Sequence, residues 1–284
     1  MPPSTTQKGQ PMKKILAVPA LCAAFATTAA AQEAAEAAAV EEGENLPSVE
    51  VSADFSSRQI SRGLPDNREP IVTLAGVVEW MGLSFEVDGL FNLTDVAEED
   101  GFDAGDNTEI DAIVGYGHAF DTESVGEVEL GADYTYEYDQ GGNDESDHCS
   151  YLHASVALND VLLSPTLTCE WMLDAVHGQY YALTLSHEFE LADNLALSLS
   201  LTMGLANNKY NKDDLGCNSW GIRETTLLAE LAWAPTDILT ITPYIAYSDH
   251  VNGHFRHFAH YYVDEERKHS VAQLYGGIAV ELTF

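Results

Sequence analysis

Apolar and polar residues alternate along most of the chain from Val49 onward. The clearest stretch runs from Leu195 to Leu205, where Leu and Met at odd positions are separated by Ala, Ser, Thr and Gly at even positions. A period of two places successive side chains on opposite faces of a β-strand. The pattern therefore predicts an all-β protein whose strands have one apolar and one polar face.

About twelve segments show this alternation, and their lengths suit a tilted strand that crosses a bilayer. An even number of such strands lies within the range of single-chain outer-membrane barrels. The predicted strands span residues 48–60, 70–80, 82–95, 108–121, 126–140, 148–160, 163–174, 177–192, 194–208, 221–235, 238–250 and 270–284.

The connections between these segments alternate between short and long. Long polar loops are expected near 61–69, 96–107, 139–147, 209–220 and 251–269, and tight turns between them, with one short connection near 176–177 on the long-loop side. Outer-membrane barrels have short periplasmic turns and longer external loops. A soluble β-sandwich also alternates, but it has no reason to segregate its long loops to one end. We therefore predict a transmembrane antiparallel up-and-down β-barrel of about 12 strands, with both termini on the short-turn side.

Aromatic residues cluster near the ends of the predicted strands, on the apolar face. This distribution is typical of the aromatic girdles at the two membrane interfaces. The residues concerned are Phe55, Trp80, Tyr116, Phe120, Tyr134, Trp171, Phe189, Trp233 and Tyr247.

The last predicted strand ends on an aromatic residue, Phe284, which shares a face with Ile278, Val280 and Leu282. A closing strand with a terminal Phe resembles the signal by which outer-membrane barrels are recognised by their assembly machinery. The resemblance implies that Phe284 is an assembly signal and that the machinery is a partner.

One stretch with a distinctive motif runs from Ser52 to Arg58 and continues through Ser61-Arg62-Gly63. It is similar to the "D-[YF]-x-S-[RK]…R-G" start of the TorF-type family of porins. Further similarity lies in Pro70-Ile71-Val72, in residues 82–94 and in the closing Tyr275–Phe284. The similarity covers the first fifty or so barrel residues and the last strand, and this chain is more acidic than the family pattern. The resemblance implies an outer-membrane porin and no named substrate.

The N-terminal segment has the pattern of a secretory signal peptide. Lys13 and Lys14 precede a short apolar run from Ile15 to Phe25, and small residues follow up to Ala31. We predict a signal peptide over 1–31, with Met12 as an alternative start, and a flexible periplasmic segment over 32–47. The barrel then occupies 48–284, and export places it in the cell outer membrane, with outer-membrane lipid as a partner.

The chain is strongly acidic, with 12 Lys and Arg against 46 Asp and Glu and a formal net charge of −34. This balance argues against nucleic acid as a partner, because such binding neutralises phosphates with basic residues. By alternation, the acids fall on the face opposite the lipid, with Arg58 and Arg62 as the main bases. The predicted pore-lining residues are Glu50, Asp54, Arg58, Glu79, Glu86, Asp88, Glu109, Asp111, Glu127, Glu129, Asp133, Glu137, Glu170, Glu188, Glu190 and Glu230.

A lumen of one charge sign concentrates cations and excludes anions. The predicted function is therefore a porin-like channel for passive diffusion of small hydrophilic solutes, with a preference for cations and no cofactor. One alternative is a plugged, partner-binding barrel, whose mark would be bulky inward residues bridging Arg to acid. The other is an outer-membrane hydrolase, but Asp249–Gly253 lacks a nucleophilic Ser after its His. A non-enzyme is expected, and the oligomeric state stays open.

Histidines and cysteines allow two further sites. His254, His257 and His260 crowd the last long loop and could bind Zn²⁺ or Cu²⁺, with a packed loop as the alternative. Cys149 and Cys217 both fall at the long-loop end, where a disulfide is possible in an oxidising compartment. Cys169 falls on the apolar face and is expected to be a free thiol.

Overall fold

The computed structural model describes residues 46–95, 103–140, 146–174, 177–250, 252–263 and 272–284. The predicted signal peptide over 1–31 and nearly all of the predicted segment over 32–47 lie outside these residues.

Most of the described chain is β-strand. In chain order, the strands are β1 (Ser48–Ser56), β2 (Gln59–Ser61), β3 (Leu64–Asn67), β4 (Ile71–Trp80), β5 (Leu83–Asn92), β6 (Asn107–Thr122), β7 (Gly126–Gln140), β8 (Ser146–Leu158), β9 (Thr166–Met172), β10 (Gln179–Ala192), β11 (Leu195–Ala206), β12 (Gly221–Thr236), β13 (Leu239–Asp249) and β14 (Gln273–Thr283). Two helices accompany them, α1 (Asn208–Leu215) and α2 (Gly253–Val263).

Twelve of the strands form a closed antiparallel barrel, which confirms the predicted fold class. Neighbouring strands follow the chain order from β4 to β14, and β1 closes the ring by pairing with both β14 and β4. Asp54, for example, lies opposite Ala279 on one side and Thr73 on the other. The remaining strands, β2 and β3, form a separate two-stranded hairpin between β1 and β4.

The long connections contain more structure than the sequence analysis predicted. The expected loop over 209–220 contains α1, which begins after Asn207, whose side chain accepts hydrogen bonds from the backbone N–H groups of Lys209 and Tyr210. The expected loop near 251–269 contains α2 in its described part, and the loop near 61–69 contains most of the β2–β3 hairpin. Within the described residues, no helix is both long enough and apolar enough to span a membrane.

The outward face of the barrel carries large apolar side chains that are exposed in the isolated chain. They recur at every second position of the strands, as the alternation predicts. Eight of the nine predicted girdle aromatics are among them, and Trp171 is half-buried. The exposed set on β4 to β8 includes Val78, Trp80, Leu83, Phe85, Val87, Ile110, Val114, Tyr116, Phe120, Leu130, Tyr134, Tyr136, Leu152 and Val156.

The tight β4–β5 turn sets the register of the first two long strands. Met81 and Gly82 both have positive φ, 54° and 81°, as the two central residues of a type I′ hairpin turn require. A Cβ atom at Gly82 would also collide with the carbonyl oxygen of Gly117 on β6. Glycine is therefore needed here for its backbone conformation and for the close approach of a neighbouring strand.

Candidate functional site: the barrel lumen

The predicted acidic residues lie on the inward face of the wall. On every strand that carries them, they alternate with the exposed outward side chains, and cross-strand partners share a face. The structure places on this face Glu50, Asp54, Glu79, Glu86, Asp88, Glu109, Asp111, Glu127, Glu129, Asp133, Glu137, Glu170, Glu188, Glu190 and Glu230. Arg58 follows β1, and its Nη1 donates a hydrogen bond of 2.7 Å to Oε1 of Gln273.

A row of carboxylates crosses three adjacent strands of the wall. Asp88 on β5 lies opposite Asp111 on β6, which in turn lies opposite Glu137 on β7. Glu109, on the same face, brings one carboxylate oxygen within 4.8 Å of oxygens of Asp111 and Glu137. Like charges that face each other across a sheet repel, and a cation placed between them would lower this repulsion. Such oxygen ligands could hold a hard divalent cation.

A second row of polar groups crosses the neighbouring part of the wall, from β7 to β9. His153 on β8 lies between Asp133 and Glu170, with Nδ1 2.6 Å from Asp133 Oδ1 and Nε2 3.4 Å from Glu170 Oε2. Arg62 Nη2 donates a hydrogen bond of 2.7 Å to the same Glu170 oxygen. Asp133 and Glu170 are therefore each paired with a base in this part of the lumen.

Arg62 is the central basic residue of the lumen. It lies at the tip of the β2–β3 hairpin, and its guanidinium carbon is 5.6 Å from the ring centre of Tyr151, 5.8 Å from that of Tyr180 and 5.6 Å from that of Tyr210. These distances are within the range of cation–π contact. The hairpin tip is thus held by one carboxylate and by rings from β8, β10 and α1.

Arg223 connects the same tip to β12. Its side chain is fully buried, and its Nε donates a hydrogen bond of 3.2 Å to the carbonyl oxygen of Arg62. The same Nε lies 3.2 Å from Oε2 of Glu224, and Tyr180 donates its hydroxyl hydrogen to the other oxygen of that carboxylate. A buried charge is tolerated only where such partners satisfy it.

A small apolar core packs against the hairpin at the long-loop end of the barrel. Leu64 of the hairpin, Leu215 of α1, Cys217 and Phe255 of α2 are all buried and pack together, with Phe258 against them. Three separate connections therefore meet at the long-loop end of the barrel and cover the hairpin.

The two ends of the lumen differ in how they are filled. Within the described ranges, every buried side chain lies in the long-loop half of the barrel or in the connections at that end. At the short-turn end, a cavity of about 560 Å³ opens beside the β4–β5 turn. Its lining includes Glu79, Glu129, Asp133 and small inward residues such as Gly115 and Gly131. Buried side chains are therefore concentrated at the long-loop end of the lumen, and acids line the cavity at the short-turn end.

The histidines predicted as metal ligands lie on α2. His254 and His257 are exposed, and the side chain of His260 lies outside the described residues. His254 Nε2 is 3.3 Å from Sγ of Cys217. Among the described side chains, the acids Glu109, Asp111 and Glu137 form the one cluster with metal-ligand spacing, so the structure does not bring His254 and His257 into such a cluster. His250, from the hydrolase-like stretch, is buried with Nδ1 2.9 Å from the Arg223 carbonyl oxygen, which is a packing role.

The possible Cys149–Cys217 disulfide is not formed in this structure, where Cys149, Cys169 and Cys217 are unbridged thiols. Cys217 is buried in the apolar core of the loop end, and this burial raises the pKa of its thiol. Cys149 has the inward parity of Tyr151, while Cys169 has the outward parity of the exposed Leu167. The three thiols therefore occupy three different environments.

These environments predict three labelling rates for single-cysteine variants in lipid vesicles. A small water-soluble maleimide should react with Cys149 in the lumen, whereas a lipid-soluble maleimide should be needed for Cys169 on the outward face. Cys217 should react slowly with both, because a buried thiol of raised pKa forms little thiolate. Rapid reaction of Cys169 with the water-soluble reagent alone would contradict the assignment of the two faces.

Comparisons with known proteins give solved structures of low similarity only. A scan against protein-family models gives no match, and neither does a search of curated proteins. Among solved structures, the chain is similar to the NanC porin at 12% identity and a TM-score of 0.45, with 82% of this chain and 98% of that chain covered. The KdgM porin, in complex with disordered oligogalacturonate, is 9% identical with a TM-score of 0.45, and the match covers 84% of this chain and 99% of that chain. An outer membrane channel from Pseudomonas putida F1 is 10% identical with a TM-score of 0.45, and the match covers 86% of this chain and 97% of that chain.

At these TM-scores the fold rests on the strand order itself, and the resemblance to TorF-type porins stays a prediction. That order is closed, antiparallel and up-and-down, from β4 through β14 to β1. The chain is a 12-stranded β-barrel with an apolar outer face and an acidic lumen.

Proposed function

We propose that this chain is an outer-membrane channel for passive diffusion of small hydrophilic solutes, with a preference for cations. The observation that carries the proposal is the two-faced wall of a closed barrel. Large apolar side chains, among them Phe85, Val114 and Leu227, are about half exposed on the outside, which would be costly in water and is suited to lipid. Carboxylates occupy the inside. A closed barrel satisfies every ladder hydrogen bond and so can cross a bilayer.

The cation preference follows from the distribution of charge along the lumen. The bases near the lumen are engaged, since Arg58 contacts Gln273, Arg62 contacts Glu170 and Arg223 contacts Glu224. The acidic row on β5–β7 and the acids at the short-turn end thus set the sign of the potential that a mobile ion meets. A negative lumen lowers the energy of a cation and raises that of an anion.

Three features of the sequence support the outer-membrane location. The segment 1–31 has the pattern of a signal peptide, and the stretches similar to TorF-type porins fall on β1, the β2–β3 hairpin, β4, β5 and β14. Phe284 exchanges backbone hydrogen bonds with Val49, at 2.9 and 3.2 Å, at the closure of the barrel. A role of this residue in recognition by the assembly machinery belongs to the same proposal.

A second candidate function is a plugged barrel that binds a partner through its long-loop end. Arg62 bridges to Glu170 among three tyrosine rings, which is the arrangement of bulky inward residues that characterises a plug. The apolar core of the hairpin and the two helices also gives the loop end a compact surface.

Electrical recording on the purified full-length protein in a planar bilayer separates the two candidates. We expect stepwise conductance, and in a salt gradient a reversal potential of the sign for cation preference at neutral pH. The preference should weaken at high ionic strength, because salt screens the lumen charges within a few ångströms. Preference for anions would contradict the cation selectivity, and a complete lack of conductance would favour the plugged barrel.

A further inference from the structure

The β2–β3 hairpin crosses the lumen instead of lining it. Gln59 Nε2 donates a hydrogen bond of 3.3 Å to Glu109 on β6, Arg62 reaches Glu170 on β9, and the Arg62 carbonyl accepts from Arg223 on β12. In the ring order, two strands lie between each successive pair of β6, β9, β12 and β1. The hairpin, which leaves the wall at β1, is therefore attached at four points a quarter of the circumference apart.

The turn of this hairpin has a backbone conformation that its first central residue does not favour. Arg62 and Gly63 are its two central residues, and both have positive φ, 47° and 84°. Such a type I′ turn favours Asn or Asp at the first position, where Arg is unfavourable. Residues that oppose local preference are retained where tertiary contacts or function require them. Here those contacts are the carboxylate of Glu170 and the three rings around the guanidinium.

The turn also packs closely against β12. A Cβ atom at Gly63 would lie 2.8 Å from Cβ of Glu224 and 3.2 Å from Cε1 of His250, so the turn fits directly against the wall. In the described chain the two hairpin strands pair only with each other, and their wall contacts are made by side chains and by the Arg62 carbonyl. The hairpin is thus held by a few polar contacts, among them the Arg62–Glu170 pair at 2.7 Å, and by the packing of Leu64 in the apolar core of the loop end.

We propose that the β2–β3 hairpin is the constriction of the channel and that Arg62 is the residue that determines its specificity. The proposal rests on the channel function proposed above. While Arg62 is seated, it narrows the lumen and neutralises Glu170, so that only small ions pass beside the acidic row of β5–β7. Release of Arg62 widens the passage for larger hydrophilic solutes.

Two substitutions test this with opposite effects on charge. Arg62→Asn suits the left-handed turn conformation but removes the anchor and the charge that neutralises Glu170. Glu170→Gln keeps the charged Arg62 side chain but removes the carboxylate that seats it, so Arg62 is released. We expect both variants to raise single-channel conductance by roughly two- to fivefold, with cation preference increased in Arg62→Asn and decreased in Glu170→Gln. Arg256→Asn, which removes an exposed base of α2 paired with Asp249 at 3.4 Å, is the matched control and should change neither quantity.

A third variant, in which residues 59–67 are replaced by a Gly/Ser linker of equal length, separates the constriction from the channel function. A conducting wild type whose conductance rises in the linker variant and in both substitutions supports the proposal. Equal conductance of the wild type and all three variants overturns it and leaves the channel function standing. A silent wild type with a conducting linker variant supports the hairpin as the closing element but overturns the proposed open channel. If neither the wild type nor the linker variant conducts, both the channel function and the constriction are overturned.

Discussion

Replacement of Asp88, Asp111 and Glu137 by their amides should abolish most of the cation preference of the channel. These three carboxylates lie in register on adjacent strands, face the lumen and are half-buried. A unit charge at about 4 Å contributes roughly 1 kcal/mol to the energy of a passing ion in water and more in a confined lumen. We therefore expect the cation-to-anion permeability ratio from reversal potentials to fall by roughly five- to tenfold in the triple variant.

The matched control removes the same charge elsewhere. Asp193, Asp213 and Asp237 are exposed in turns or on α1, so their replacement by Asn changes the net charge equally without changing the lumen. This variant should keep the wild-type permeability ratio. A second measurement sharpens the test, because relief of repulsion within the carboxylate row should stabilise the barrel of the lumen variant against denaturant. If both triple variants lose selectivity equally, the selectivity arises from overall charge and not from the row.

The second large effect concerns the outer face. Leu201 lies in the middle of β11, between Leu185 on β10 and Leu227 on β12, all with outward parity. An Arg at the midplane of the lipid face costs about 2–4 kcal/mol, so Leu201→Arg should strongly destabilise the folded barrel in lipid vesicles. Denaturant unfolding followed by heat-modifiable mobility on gels measures this loss.

Ser200→Arg is the control one residue away. Ser200 faces the lumen, where water is available to a charged side chain, so this variant should insert and fold nearly as well as the wild type. The difference between the two neighbours is the informative quantity. Equal stability of both variants in lipid would contradict the membrane location of the outer face.

The wall of the barrel could be predicted from the sequence because alternation alone determines it. Leu195–Leu205 and the acids interleaved with apolar residues on β5 to β7 carry a period of two that few other structures produce. The pairing order then follows, because antiparallel neighbours joined by short turns leave little choice. Some strand ends were misplaced, as for β1, where the predicted 48–60 included the bend after Ser56.

The interior of the long-loop end could not be predicted, because it depends on contacts between distant residues. Alternation places Glu170 inward, but nothing in the local sequence indicates that Arg62 reaches it across 108 positions. Helix α1 was missed because its eight residues are mostly polar and span too few turns to show a helical pattern of apolar positions. The N-cap residue Asn207 was the signal that could have indicated it. The dipeptide Arg62-Gly63 between Ile60 and Leu64 was likewise a hairpin signal, though a weak one.

The seating of the first hairpin has a consequence for the order of assembly. Its contacts join residues 50, 108, 161 and 215 positions apart, the last between Arg58 and Gln273 of the final strand. Contacts of such long sequence separation form late, because the intervening chain must first be ordered. The hairpin is synthesised early, but its complete seat exists only once β6, β9, β12 and β14 are in place. We therefore expect the hairpin near the start of the barrel to reach its final position last, after most of the wall has formed.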